Sequence, residues 1–397
     1  MQSFDDFDFS GKKVLIRVDF NVPLDPSFKI TDDSRIKAAI PTISHILDQG
    51  GSVILISHLG RPKGEKSEKF SLKHLLKKLN HYLGRELQFA EDCIGHSAVK
   101  KSADLKQGEA LLLENLRFYP EEVEGDPTFA KKLADMGEVF VNDAFGTAHR
   151  AHASTAIMAS FFDEDKKLFG KLIEKELQAV DQILKNQKKP FTAIMGGAKI
   201  SDKILLIEKL MDKVDHLIIG GGMSYTFFKA LGGEIGDSLV EEDKVSLAAT
   251  ILDLAKEKEV QLLLPEDSIV ATAFDNQAEH KVADNLSIEK GWMGLDIGPK
   301  AIDAFSEVIK KSKTILWNGP MGVFEMSKFE NGTKKVTEAI AAATENGAYS
   351  LIGGGDSAAA IHKFNFSEKV SYISTGGGAL LEYLEGKTLP GIKAIEG

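Results

Sequence analysis

Short apolar runs ending in glycine, proline or aspartate recur along the chain, separated by longer stretches of helical spacing. That alternation constrains the fold most, because it is the pattern of βαβ units closing into parallel sheets. In the first part, VLIRVDF (14–20), SVILISH (52–58), ALLLENL (110–116) and EVFVNDAF (138–145) read as strands. A helix falls between the first two. Asp32, Asp33 and Ser34 offer N-terminal caps, Ile36, Ile40, Ile43 and Leu47 recur at helical spacing, and Gly50-Gly51 end it. In the second part, FTAIMGG (191–197), HLIIGGG (216–222), VQLLLPED (260–267), TILWNGP (314–320), YSLIGGG (349–355) and SYISTGGG (371–378) read the same way. Runs this continuously apolar suit strands covered on both faces. The expected fold class is α/β, with two doubly wound parallel sheets. The amphipathic stretch 169–187 reads as a helix that either joins the halves or lies on the surface of one.

A chain of 397 residues exceeds one ordinary core, so two domains are expected. The net charge of −10 argues against a nucleic-acid coat or a polybasic membrane binder, though a local basic pocket stays open. A single cysteine, Cys93, leaves no internal disulfide and points to a reducing compartment. The opening MQSFDDFDFS does not read as a secretory signal, and no apolar run is long enough for a bilayer. The Asn-x-Ser/Thr triplets at Asn285, Asn331 and Asn365 then read as chance matches in a cytoplasmic protein.

In open α/β sheets, ligands bind beyond the carboxyl ends of the strands. The second half places glycines there, at Gly196-Gly197, Gly220 to Gly222, Gly353 to Gly355 and Gly376 to Gly378. Such turns expose backbone N–H groups to phosphate oxygens. One of them could serve packing alone, but four along one sheet edge suggest a phosphate-rich ligand. The tail EGKT (385–388) lacks the first glycine of a P-loop, DAFG (143–146) is not a metal-binding triplet of protein kinases, and no strand precedes a G-x-G-x-x-G fingerprint. Asp356 reads either as a helix N-cap or as a carboxylate for Mg²⁺ on nucleotide phosphates. Lys199 and Lys203 are read one helical turn apart, sharing a face near those phosphates. Glu325 is a candidate acceptor for ribose hydroxyls or a plain surface carboxylate.

The first half places basic groups at its strand ends instead. Arg35 begins a helix, where the macrodipole disfavours a cation. His58 and Arg61 follow one strand, Arg117 another, and His149 with Arg150 a third. Any one could be solvated. Together they suggest a pocket for a small polyanion, with arginine forks gripping phosphate and carboxylate. Asp19 and Asn21 would add grip on hydroxyls, and Arg17, nearer the strand interior, is set aside.

With these residues assembled, the chain resembles the phosphoglycerate kinases over essentially its whole length. The resemblance rests on RVDFNVP (17–23), SHLGRPKG (57–64), LLENLRFYPEE (112–122), NDAFGTAHRAHAST (142–155), GGAKISDKI (196–204), IIGGGMSYTF (218–227), GLDIGP (294–299), WNGPMGVFE (317–325), GGGDS (353–357) and STGGGA (374–379). Its compact length is similar to the bacterial branch. Ser357 stands where many relatives carry Thr, Leu380 where a small polar residue is usual, and Leu24 to Lys29 is not closely matched.

The resemblance implies two Rossmann-like lobes joined by a connecting helix, with an open cleft between them that closes by hinge bending. It implies a phosphoglycerate domain over 1–170, the connector over 171–188, a nucleotide domain over 189–380, and a tail, 381–397, returning to the first. Asp19, Phe20, Asn21, Arg35, His58, Leu59, Gly60, Arg61, Arg117 and Arg150 match substrate-binding positions. Lys199, Lys203, Gly294, Asn318, Glu325, Gly354, Gly355, Asp356 and Ser357 match nucleotide-binding positions, with Asp356 serving Mg²⁺. Arg35, Lys199, Gly376 and Gly377 are the implied catalytic set. The implied reaction is reversible transfer from 1,3-bisphosphoglycerate to ADP, by a cytoplasmic monomer without nucleic-acid or membrane partners. A nucleotide-binding module without turnover is the alternative, and a dehydrogenase lacks its fingerprint.

Overall fold

In a computed structural model, which describes residues 3–397, the chain divides into two compact units. One comprises residues 1–178 and 387–397, the other 179–386. The amphipathic stretch forms a helix, Lys171–Leu184, that carries the chain from the first to the second.

The first unit is built on β1 (Lys13–Val18), β2 (Ser52–Ile56), β3 (Gln88–Ala90), β4 (Ala110–Leu113), β5 (Val139–Asp143) and β6 (Lys167–Phe169). They form a parallel sheet in the order β3-β4-β2-β1-β5-β6. Leu15 on β1 is in register with Ile54 on β2 and Phe140 on β5, and all three are fully buried. Each such side chain contributes about 1.5–3 kcal/mol of burial. The helix Ser34–Asp48 packs Ile36, Ile43 and Ile46 on the other face of the sheet, with Val14, Ile16, Leu55 and Val141. Of its expected caps, Asp32 Oδ1 accepts from Ser34 N at 2.9 Å, while the Asp33 side chain makes no cap bond. It accepts instead from Tyr82 Oη at 2.6 Å and pairs with Lys37 and Lys78, which holds it well below the usual carboxylate range despite partial burial.

The second unit contains β7 (Phe191–Met195), β8 (His216–Ile219), β9 (Glu234–Ile235), β10 (Gln261–Leu263), β11 (Asp267–Ala271), β12 (His280–Asp284), β13 (Ser287–Ile288), β14 (Met293–Ile297), β15 (Thr314–Asn318), β16 (Tyr349–Gly353) and β17 (Tyr372–Ile373). Its main sheet is parallel, in the order β10-β8-β7-β15-β16-β17. An antiparallel sheet, β12-β11-β14, and the short pair β13-β9 are built from segments inserted between β8 and β15. The run VQLLLPED is therefore two strands in two sheets, because Pro265 cannot donate to a ladder and breaks it. Asp267, on the far side of the break, accepts from Lys300 N and Ala301 N at 3.2 and 2.9 Å and so caps the helix Pro299–Lys311. Among the described residues, no helix is long and apolar enough to cross a membrane.

In both main sheets the chain leaves an adjacent pair of strands in opposite directions, β1 and β5 in the first and β7 and β15 in the second. Crevices beyond the carboxyl ends of the strands open at these switch points. Many of the candidate residues lie at or just after the carboxyl ends of strands, on loops that the shorter ladders free, whereas Gly294 lies within β14 and Asp356 and Ser357 in the helix Gly355–Lys363. The run VLIRVDF, for example, pairs only as far as Val18, leaving Asp19 to Asn21 to turn.

Candidate active site

In the first unit, direct bonds tie the strand-end loops together. Arg35 Nη1 donates to Asp19 Oδ2 at 2.9 Å and to the Asn21 carbonyl at 3.2 Å. The nearby carboxylate offsets the unfavourable place of a cation in the first turn of a helix. Asn21 Oδ1 accepts from Gly60 N at 2.8 Å, and Arg117 Nη1 donates to the Gly60 carbonyl at 2.9 Å. Gly60 has φ +63°, and a Cβ there would lie 2.3 Å from the Phe70 ring, so only glycine fits. The Phe20 and Leu59 side chains are buried, leaving their backbone to the loop: Phe20 N donates to Ser57 Oγ, and the Leu59 carbonyl accepts from Asn115 Nδ2.

Positive charge converges on these loops. Burial pushes the Arg117 guanidinium down to about 10, helped by Arg17 and Arg61 against Glu122 and Asp19. Burial drives His58 well below the usual histidine range, with Arg17, Arg117, Arg35 and His152 adding to it. His152 is held down to about 4 by burial, then by Arg117, Arg17, Arg150 and His149. Arg61 and Arg150 are exposed and join the cluster through their fields rather than through a bond to it.

The second unit offers backbone instead of charge. At its switch point Gly196 N donates to the Asn318 carbonyl at 3.0 Å, and Gly197 N to the Pro320 carbonyl at 2.9 Å. A Cβ on Gly196 would lie 2.1 Å from the Pro320 oxygen, so glycine lets the two strand ends close up. Two cavities open here and share Gly197, Ala198 and Asp356. The smaller, of 320 Å³, is lined by Lys199, Lys203, Asn318, Gly354, Gly355, Ser357, Gly377 and Gly378 among others. Lys203 Nζ donates to Asn318 Oδ1, while the buried Asn318 Nδ2 has no hydrogen-bond partner among the described residues. Burial lowers the Lys203 ammonium, opposed by Asp202, Asp356 and Glu385. The larger cavity, of 460 Å³, has apolar walls in Leu239, Phe274 and Met321, with Gly294 and Glu325 in its lining.

Several sequence expectations change here. Residues 199–203 form a bend and turn, and the helix starts only at Ile204, so Lys199 and Lys203 share a cavity rather than a helical face. Asp356 is the second residue of the helix Gly355–Lys363, and Gly354 stands at the N-cap, so the capping role is not its own. Gly377 lines the smaller cavity. Gly376 does not, its N–H being turned to Ser374 Oγ at 3.0 Å.

The phosphoglycerate kinase family model matches residues 4–387. The chain belongs to the phosphoglycerate kinase family. A phosphoglycerate kinase of Porphyromonas gingivalis is 56% identical over 419 residues, covering all of both chains. The cytosolic enzyme of Triticum aestivum is 54% identical over 98% of this chain and 96% of its own. Among solved structures, the phosphoglycerate kinase of Coxiella burnetii superposes with a TM-score of 0.89 at 41% identity, over 100% of this chain and 98% of its own. That of Pyrococcus horikoshii gives 0.86 at 32%, with the same coverage. The chain is thus a phosphotransferase that exchanges a phosphoryl group between 1,3-bisphosphoglycerate and ADP, with 3-phosphoglycerate and ATP as the other pair.

Against this family background, the structure adds residues that the sequence reading passes over. Arg17 is fully buried beside His58, and Ser154, Glu122 and His152 stand around it. A charged side chain within an apolar strand run was the available signal, since buried arginine needs partners. Asp296, inside GLDIGP, is similar. It is buried against the larger cavity and pushed up to about 8 by burial, while accepting from Gly332 N at 2.7 Å.

Proposed function

We propose that the first unit holds the phosphoglycerate and the second holds the nucleotide. The supporting observation is the split in chemistry between the two switch points: clustered arginine and histidine at one, close-packed glycine turns and two adjoining cavities at the other. Arginine forks match the paired oxygens of phosphate and carboxylate, whereas exposed backbone N–H groups suit a polyphosphate chain. The apolar walls of the larger cavity suit a nucleobase, with Glu325 accepting from ribose. Domain roles follow the expected order, substrate before the connecting helix and nucleotide after it.

A magnesium ion accompanies the nucleotide in this reading. No cluster of three or more His, Cys, Asp or Glu side chains stands ready for a metal among the described residues. The chemistry of the donor set still fits, since Mg²⁺ takes one or two carboxylates and fills its shell with phosphate oxygens and water. Asp356 is exposed at the point shared by both cavities and would be that carboxylate. The ion would neutralise phosphate charge there.

The protein's own residues act by position and charge, because phosphoryl transfer leaves little covalent chemistry to supply. Arg35, fixed by Asp19 and Asn21, and Lys199 are assigned to the charge that gathers on the transferring group, with Gly377, which lines the same cavity as Lys199, in the second unit's share. The protein is proposed to work as a cytoplasmic monomer on small molecules, without nucleic acid, in keeping with its net charge of −10.

Amide hydrogen exchange tests the division. 3-Phosphoglycerate alone should slow exchange around 19–21, 58–61 and 117, and MgADP alone around 196–203 and 354–357. Protection by 3-phosphoglycerate confined to the second set would refute the assignment.

A further inference from the structure

Arg17 makes three donor contacts from a fully buried position in β1. Nε donates to Ser154 Oγ at 2.9 Å, Nη1 to the Val18 carbonyl, and Nη2 lies 3.2 Å from His58 Nδ1. Ser154 in turn donates its hydroxyl to Glu122 Oε1 at 2.6 Å and its N–H to Oε2 at 3.0 Å. Glu122 and Ser154 are fully buried as well. The chain of bonds therefore runs from a carboxylate, through a hydroxyl that both donates and accepts, to a guanidinium and then to an imidazole.

Its polarity fixes the state of the imidazole. Guanidinium carries donors only and stays charged, so His58 Nδ1 can only accept. A ring whose Nδ1 accepts is neutral, and its one N–H is on Nε2. Asp19 Oδ1, 4.0 Å from Nδ1, is beyond hydrogen-bond distance and cannot draw a proton to that nitrogen. The other groups acting on the ring, Arg117, Arg35 and His152, all oppose its protonation.

We propose that the Glu122–Ser154–Arg17 chain is a positioning device that locks His58 as the neutral Nε2–H tautomer. His58 then offers the phosphoglycerate one hydrogen-bond donor, and the arginines alone supply the charge. The second statement rests on the assignment of phosphoglycerate to the first unit; the tautomer does not. Arg17, Ser154 and Glu122 act through His58 and need not touch the substrate.

The test is a long-range proton–nitrogen correlation spectrum of the full chain carrying ¹⁵N-histidine, with His58→Gln assigning the signal. Expected is a pyridine-type Nδ1 and a pyrrole-type Nε2, unchanged between about pH 8 and about pH 5, where an ordinary histidine would charge. A protonated Nδ1 anywhere in that range overturns the proposal. Ser154→Ala should let His58 populate the other tautomer and raise KM for 3-phosphoglycerate several-fold more than it lowers kcat. Ser154→Thr, which keeps the hydroxyl, should restore both. A folded Arg17→Met protein that retains the wild-type histidine signals would show that Arg17 does not set the tautomer. If the tautomer is as stated but added 3-phosphoglycerate leaves the Nε2–H resonance unmoved, the donor role falls and the lock alone stands.

Discussion

At the scale of single residues, function depends on side chains whose freedom has been removed. Arg35 is one-third exposed yet held by Asp19 and Asn21, so its charge is already in place before substrate arrives. By analogy with arginine fingers, Arg35→Ala should lower kcat by about 10³-fold. Steady-state rates in both directions would show it, and a kcat within a few-fold of wild type would remove Arg35 from the transition state. Gly294 is constrained by space. A Cβ there would lie 1.6 Å from Tyr225 Oη, which is bonded to Ser268 Oγ at 2.7 Å. Gly294→Ala should cost about 1–3 kcal/mol of stability and raise KM for nucleotide more than KM for phosphoglycerate. Equal changes in both KM values would contradict a nucleotide role. Sequence carries these positions unevenly. Strand-end arginines announce themselves, because a cation after a buried strand is out of place. Arg17 does not, since its role emerges only from Ser154 and Glu122, far away in the chain.

At the scale of elements, two joints matter. Asp143 ends β5 and accepts from Leu172 N at 2.9 Å and Ile173 N at 3.4 Å, in the first turn of the helix Lys171–Leu184. Burial nevertheless pushes it up to about 7. The unfolded chain releases this proton near the ordinary pKa of 3.8 and the folded chain near 7, so this contribution weakens stability as pH rises between them. The total loss is a few kcal/mol at about 1.4 kcal/mol per unit. Asp143→Asn should flatten that part of the stability profile, and denaturant unfolding of both proteins across that range would reveal it. Parallel profiles would mean Asp143 is ionised in both states. The second joint is the helix Pro390–Glu396, docked on the turn before His149 and Arg150. Gly391 N donates to the Ala148 carbonyl at 2.8 Å, and Asn142 Nδ2 donates to the Gly391 carbonyl at 3.1 Å. A Cβ on Gly391 would lie 3.0 Å from Ala148 Cα. Gly391→Val should therefore raise KM for 3-phosphoglycerate while leaving KM for ADP within two-fold or so of wild type. A change in KM for ADP alone would disprove the link to that turn. The central strands of both sheets were legible because they are apolar for their whole length. The edge strands β3 and β6 are three residues each, and β12 (HKVAD) is mostly exposed, so neither length nor periodicity marked them.

Over the whole molecule, a six-stranded parallel sheet with a switch point occurs twice, in two different strand orders and with different chemistry at the strand ends. The glycine turns of the second unit and the basic strand ends of the first carry the proposal that one switch point takes a polyphosphate and the other a small polyanion. The contrast between basic and glycine-rich strand ends was readable in the sequence, whereas the loop geometry was not. Lys199 and Lys203 meet in one cavity through a turn whose shape no periodicity encodes. Phosphoryl transfer carried by fixed charge, with a metal-bearing nucleotide held at Asp356, is the central proposal. Its most direct test is a coupled assay of the purified chain with 3-phosphoglycerate and MgATP, following 1,3-bisphosphoglycerate through a dehydrogenase. Turnover should be present in the wild type and lost both on chelation of the metal and in Asp356→Asn. Turnover that survives chelation, or a folded protein that binds MgADP and forms no product, would contradict it.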